Sequence, residues 1–241
     1  MYLARAFLNP VSTDVRRTIS SPELLHKRVM LAFPNNTNGP ARETHGVLHR
    51  LDEDSRRGRI ALHIQSRTEP NFSRFRDGFL LDLNGDLGLD ASFDVSNPAV
   101  VKVSDDWDTI KVGDAFAFRL VANTTKRIAK VDQDSGSKTK NGMRVGLRGD
   151  EERLQWLTRH ALAGGFEIDQ KQVQVAEIKP NARSLDQHQP QVKTFAGARF
   201  DGFLRVTDTD LFRKTLEKGV GPAKAYGFGL LSIRRQGVNL E

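Results

Sequence analysis

The segment SPELLHKRV contains one residue, His26, whose side chain can take up or release a proton near neutral pH. At 100° per residue, His26 shares one side of a helix with Glu23 and Lys27 and borders an apolar arc that includes Leu25. A side chain at that border can be held by the core and still reach outward. The position also suits an ordinary boundary histidine, so periodicity alone leaves both interpretations open.

Three other histidines were weighed as metal ligands. His45 and His49 are four residues apart, and His63 lies on the partner strand of a predicted hairpin, so three imidazoles could meet on one sheet face. No nearby carboxylate completes a set of ligands. The chain has no cysteine, which excludes disulfides, thiolate zinc sites and a cysteine nucleophile. We therefore expect no metal site and no cofactor.

A glycine-rich stretch, GVGPAKAYGFGLLSI, spans residues 219–233. It contains neither a Walker loop nor a dinucleotide fingerprint, because its glycines follow a predicted helix and precede a strand. Two interpretations remain: a tight turn that packs the last strand, or a loop whose backbone approaches a phosphate beside Lys224. The glycines are Gly219, Gly221, Gly227 and Gly229.

The segment 126–148 is strongly basic, with seven Lys or Arg residues against Asp132 and Asp134. A polyanion is the natural partner of such a patch, and a solvated basic loop is the alternative. The basic residues are Lys126, Arg127, Lys130, Lys138, Lys140, Arg144 and Arg148.

The composition indicates a globular protein. The chain has 241 residues and a net charge of +7, with 38% hydrophobic and 28% charged residues, enough for one large domain or two small ones. No apolar run approaches the roughly 18 residues that span a bilayer, and residues 1–10 alternate like a strand. We expect a cytoplasmic protein without membrane contact.

The predicted elements follow the order β-α-β-β twice. This order predicts an α+β protein of two tandem ferredoxin-like (RRM-like) domains, 1–105 and 106–241, and a single mixed domain is the alternative. Capping-box spacing of Ser20 and Glu23 starts the first helix. The predicted strands are 2–8, 45–51, 59–66, 115–122, 143–147, 166–178, 192–206 and 226–235, and the predicted helices are 22–33, 150–163 and 208–218.

Five segments, in this order, resemble the CasE family of RNA-processing endoribonucleases from type I-E CRISPR systems: MYLARAFLNP, SPELLHKRV, FAFRLVANTTKR, KNGMRVGLRGDEERLQWL and GVGPAKAYGFGLLSI. The likeness covers most of the chain, and the last segment is its most specific part. It implies two ferredoxin-like domains and metal-independent cleavage of the CRISPR precursor RNA 3′ of the repeat hairpin. The 2′-hydroxyl attacks its own phosphate, which leaves a 2′,3′-cyclic phosphate and a 5′-hydroxyl.

The resemblance also assigns roles to residues and partners. It implies that His26 is the general acid or base and that Lys27 or Arg28 stabilises charge. It also implies that the enzyme keeps the product hairpin bound and becomes a subunit of Cascade. The RNA contacts would come from Lys126, Arg127, Lys140, Arg144, Arg148 and Lys224, with the glycine loop supporting the same RNA.

Two departures from the family pattern leave alternatives open. A relative has a tyrosine three residues before its histidine, and that position here is Glu23, which could act as a base, tune His26 or cap the helix. Residues 79–98 resemble an insertion without an assigned role. The alternative function is a catalytically inactive subunit that only binds the RNA hairpin.

Overall fold

The computed structural model describes residues 1–35, 39–54, 58–83, 96–131, 138–178 and 195–235, without the side chains of 54, 129–131 and 138–143. Two antiparallel sheets, each packed against helices, dominate the fold. No described helix is long and apolar enough to cross a membrane.

The N-terminal domain contains a four-stranded sheet in the order β2-β3-β1-β4. This is the strand order of a ferredoxin-like fold, with the first and third strands at the centre. Its elements are β1 (Tyr2–Leu8), α1 (Thr13–Ile19), α2 (Pro22–Met30), α3 (Ala41–Thr44), β2 (Leu48–Asp54), β3 (Arg59–Ser66), a 3-10 turn (Phe72–Arg74) and β4 (Ala99–Lys102).

A short helix, α4 (Ser104–Asp108), connects the two sheets. The predicted boundary between 105 and 106 lies inside this helix, and it stays a prediction. Helix α4 buries Trp107 in the C-terminal core.

The C-terminal domain repeats the arrangement, with a sheet in the order β11-β5-β10-β8 and β9 also paired with β10. Its second ferredoxin strand is therefore split into two pieces around a 3-10 turn, Gln170–Gln172. Its elements are β5 (Ala115–Asn123), β6 (Thr125–Val131), β7 (Lys138–Gly146), α5 (Asp150–Ala163), β8 (Phe166–Ile168), β9 (Gln174–Ile178), β10 (Gly197–Val206), α6 (Thr209–Lys218), a 3-10 turn (Lys224–Tyr226) and β11 (Leu231–Arg235). The prediction of two ferredoxin-like domains is confirmed.

Buried polar side chains join the two domains. The Arg50 guanidinium, 5% exposed, donates two bonds of 2.9 Å to the Asp52 carboxylate and one of 2.9 Å to Ser232 Oγ on β11. Gln65 Nε2 donates to the carbonyl of Leu216 at 2.7 Å. These bonds fix the N-terminal sheet against β11 and α6, because a buried donor without its acceptor is costly.

Several predicted boundaries are wrong. The predicted helix 22–33 ends at Met30, and the strand predicted over 45–51 begins only at Leu48 because α3 precedes it. Helix α1 and the split between β8 and β9 were not predicted. The strand predicted over 143–147 is part of the longer β7, which begins at Lys138, and the final strand begins at Leu231.

Candidate active site

Helix α2 presents His26 at the margin of the core. Ser21 caps the helix by accepting a bond from Leu24 N at 3.5 Å, and Pro22 occupies the first turn. Leu25 and Val29 are buried, which leaves His26 half-buried between core and solvent, as the periodicity predicted. Its Nδ1 is buried without a hydrogen-bond partner among the described residues, whereas Nε2 is not one of the buried unpartnered atoms.

His49 on β2 lies beside His26. The two rings are nearly parallel, with an interplanar angle of 25° and a centroid separation of 6.1 Å. His49 is completely buried, and neither ring nitrogen has a partner in the described part of the chain. Burial, then His26 and then Arg42 lower the pKa of His49 to about 3. His49 is therefore a neutral imidazole at physiological pH.

The Arg42 cation acts on both histidines and on Lys224. Burial and then the Arg42 guanidinium lower the pKa of His26. Burial, then Arg42 and then Lys218 lower the pKa of Lys224. Arg42 itself donates to Glu43 Oε1 at 3.0 Å, and its side chain is 21% exposed. Half-buried cations that repel one another are stabilised by an anion, so this site suits a phosphate group.

The glycine-rich loop reaches this site from the C-terminal domain. Its 3-10 turn, Lys224–Tyr226, packs against α2 and β2. At Gly219 an added Cβ would lie 2.6 Å from Gly229 O and 2.8 Å from Leu48 Cδ1, and the backbone there has φ +71°. The loop is thus a close-packed turn that carries Lys224 to the histidines, which supports the structural interpretation of these glycines. All four glycines have positive φ: Gly219, Gly221, Gly227 and Gly229.

The neighbours of His26 on α2 differ in what they contact. Arg28 is 12% exposed, donates to Asp14 Oδ2 at 2.6 Å and stacks on the Phe79 ring at 4.5 Å, so it stabilises the helix packing. Lys27 is exposed and can meet a ligand.

Glu23 does not form the predicted capping box. The N-cap is Ser21, so the third helical residue is Leu24 rather than Glu23, while Ser20 ends α1. Glu23 lies in the first turn of α2, where a carboxylate complements the helix dipole.

The three histidines weighed as metal ligands lie apart. The ring nitrogens of His45 bond to Thr68 Oγ1 at 2.8 Å and to the carbonyl of Pro34 at 3.1 Å. In the pairing of β2 with β3, His49 is opposite Ile64, and the next pair is Arg50 with His63. Successive residues of a strand point to opposite faces of the sheet, so the imidazoles of His49 and His63 lie on opposite faces. The described residues include no group of three or more His, Cys, Asp or Glu side chains that could hold a metal ion.

The basic segment forms a separate two-stranded sheet of β6 and β7. Arg127 and Arg144 are directly opposite each other and exposed, an arrangement that destabilises a hairpin unless an anion lies between the charges. Lys126 bonds to Glu152 at 2.8 Å, and Arg148 is exposed after the hairpin. Lys140 lies in β7, but its side chain is outside the described residues.

Two residues of this site were missed from the sequence. The sequence suggests His49 only as a possible metal ligand, and no periodicity marks it as part of this site, because Leu48, His49 and Arg50 are all buried in succession. Arg42 lies in a four-residue helix that no motif indicates.

The chain is similar in sequence to known proteins. The chain is 27% identical to the CRISPR-associated endoribonuclease Cse3 of Thermus thermophilus over 240 residues, 97% of this chain and 99% of that protein. It is 30% identical over 125 residues to the Escherichia coli K12 Cascade subunit CasE, covering 52% of this chain and 60% of that subunit.

Solved structures show the same relationship. Thermus thermophilus Cse3, bound to an RNA that represents a pre-cleavage complex, superposes with a TM-score of 0.71 at 27% identity, covering 97% of this chain and 98% of that one. Escherichia coli Cas6e, at 21% identity and a TM-score of 0.63, shares the fold over 98% of this chain and all of its own. Residues 1–235 match the model of a family described as CRISPR associated protein, and the chain belongs to that family.

Proposed function

We propose that this protein is a metal-independent endoribonuclease that cleaves CRISPR precursor RNA 3′ of the repeat hairpin. The observation that carries the proposal is the site on α2: a half-buried His26 whose pKa burial and Arg42 lower, with the turn that carries Lys224 packed against the same helix. The RNA-bound relative of similar length and fold supports the choice of substrate.

The reaction needs no nucleophile from the protein, because the RNA 2′-oxygen attacks the adjacent phosphorus. The new P–O2′ bond forms as the P–O5′ bond breaks. The 2′-hydroxyl gives up its proton and the departing 5′-oxygen takes one from solvent water, so the products carry a 2′,3′-cyclic phosphate and a 5′-hydroxyl. A lowered pKa keeps His26 mostly neutral near pH 7, the form that can take the 2′-hydroxyl proton at Nε2. Lys224, and Lys27 from the helix surface, supply positive charge toward the phosphorane.

The hairpin of β6 and β7 would bind the RNA stem. An A-form stem is recognised mainly through its shape and phosphates, which suits the exposed pair Arg127 and Arg144 and the exposed Arg148. We further propose that the product hairpin stays bound and that the protein then serves as a Cascade subunit in the cytoplasm.

The test compares wild type with His26→Ala on a labelled CRISPR repeat hairpin in EDTA, on a denaturing gel. Wild type should make a single cut at the 3′ base of the stem. His26→Ala should bind the RNA equally well and cleave it at least about 100-fold more slowly, the lower end of what an acid–base group contributes. Cleavage lost in EDTA would refute metal independence. Tight binding without cleavage by wild type would identify the binding-only subunit instead.

A further inference from the structure

His49 has no role in the steps above, yet its burial lowers the stability of the protein. Its side chain is fully buried near the start of β2, with both ring nitrogens unpartnered among the described residues. Leaving a buried polar group without a partner destabilises a protein, so an apolar residue of similar shape would suit this place better for stability alone. A histidine retained here indicates a functional reason.

The position of the two rings indicates that this function involves His26. The only described ring stacked on His49 is that of His26, whose Nδ1 is the buried and unpartnered nitrogen. Two imidazoles with unpartnered buried nitrogens thus lie side by side, one on α2 and one on β2. Gly227 borders His49 from the loop, since a Cβ added there would lie 3.7 Å from His49 Nε2.

We propose that His49 is a positioning residue for His26: its neutral ring accepts the Nδ1 proton of His26 and so holds the tautomer whose Nε2 lone pair faces the RNA. The two rings, stacked with centroids 6.1 Å apart, do not make this bond in the free protein. Forming it requires the His26 ring to turn toward His49 and approach it when RNA binds. Catalytic hydrogen bonds are often long in free enzymes and shorten in the substrate complex.

The charges around the pair favour a neutral acceptor. A positively charged His49 is disfavoured by its burial, by His26 and by Arg42 from α3, and its pKa of about 3 keeps it unprotonated. The other titratable or charged groups on elements packed against α2 are Asp14, Arg16 and Arg17 on α1 and Lys224 and Tyr226 in the loop, with Glu23, Lys27 and Arg28 on α2 itself. Because one nitrogen of a neutral imidazole always carries a lone pair, His49 can accept without changing its charge.

The inference rests on the proposed role of His26, but its test does not depend on cleavage. The ring ¹⁵N shifts of His26, assigned with His26→Gln, report which nitrogen carries the proton. They are measured in the free protein and with a repeat RNA whose 2′-hydroxyl at the cleavage site is replaced by hydrogen. We expect the Nδ1–H tautomer to predominate in the complex.

Two variants separate positioning from packing. His49→Phe keeps the ring but removes both nitrogens, and it should lose the tautomer preference and cleave about 10- to 100-fold more slowly, as when orienting partners of functional histidines are removed. His49→Asn returns an acceptor and should restore the preference and part of the rate. RNA affinity and melting temperature should not fall in His49→Phe, because an apolar ring suits a buried site.

Three results would overturn the proposal. One is an Nε2–H tautomer in the wild-type complex, which decides the matter even if neither variant folds. Another is a wild-type rate and tautomer in His49→Phe. The third is equal loss of rate in His49→Phe and His49→Asn, which would leave His49 a packing residue. Failure of wild type to cleave, with the Nδ1–H tautomer present, would count against the proposed function and leave the tautomer assignment standing.

Discussion

Replacing Gly219 by alanine tests how the glycine-rich loop is held against the N-terminal domain. Gly219 ends α6 with φ +71° and ψ 167°, a backbone conformation that is nearly restricted to glycine. The added methyl would also meet Gly229 O at 2.6 Å and Leu48 Cδ1 at 2.8 Å. The first contact is with backbone, so a rotamer change cannot relieve it.

The expected loss of stability has two parts. Strain at this φ and ψ costs about 1–3 kcal/mol. Overpacking against Gly229 and Leu48 costs about 1–3 kcal/mol more. We therefore expect Gly219→Ala to lower the free energy of unfolding by roughly 2–6 kcal/mol.

Urea unfolding followed by tryptophan fluorescence measures this loss, because Trp107 and Trp156 both lie in the C-terminal core. With a slope of about 1–3 kcal/mol per molar urea, the urea midpoint should fall by at least about 0.7 M. Gly78→Ala is the matched control: Gly78 has φ +72°, and an added Cβ there meets nothing within 4 Å. Its loss should be about 1 kcal/mol.

Equal midpoints for the two variants would refute the reasoning. That result would mean that the loop can move away from β2 at little cost, so the packing at Gly219 would not fix the position of Lys224 near His26.

Three further predictions concern charged residues. Arg42→Gln should raise the pKa of His26, because the Arg42 cation lowers that pKa, and the ring should then titrate at higher pH. Arg42→Lys should leave the pKa of His26 nearly unchanged. Titration of the His26 ring followed by NMR measures both effects. Exchanging Arg127 and Arg144 together for glutamine should reduce the slope of log RNA affinity against log salt by about two, one per lost phosphate contact, and an unchanged slope would place the RNA elsewhere. Arg50→Met should lower the free energy of unfolding by about 1.5–3 kcal/mol, since the Asp52 carboxylate loses both hydrogen bonds from Arg50 and is left with contacts to His63 at 3.3 Å and Arg119 at 3.7 Å. A urea midpoint like that of wild type would show that the Arg50–Asp52 bonds do not stabilise the protein.

The order of the elements could be predicted because each domain repeats one simple pattern. Alternation along Tyr2–Leu8 and the helical period around Leu25 and Val29 reflect burial on one face, and both are confirmed. Helix α1 was missed because its seven residues, TDVRRTI, bury only Val15 and Thr18. So short an element shows little periodicity, and its stability comes from packing against α2.

The site was only partly predictable, because long-range packing assembles it. His26 could be found from its place on an amphipathic helix. Arg42 comes from a four-residue helix, His49 from a strand buried on both faces, and Lys224 from the other domain, so their meeting depends on the tertiary fold. The capping-box prediction failed for a local reason, since Ser20 and Ser21 are adjacent and α1 uses the first of them.

The break between β8 and β9 has a consequence for solubility. Strands at a sheet edge expose unpaired amide and carbonyl groups that can recruit an edge from another chain. Here the edge next to β10 is made of one strand of three residues and one of five, separated by the 3-10 turn Gln170–Gln172. No long, flat template is therefore offered by these two strands on that side of the C-terminal sheet, and the break protects the protein against edge-to-edge aggregation.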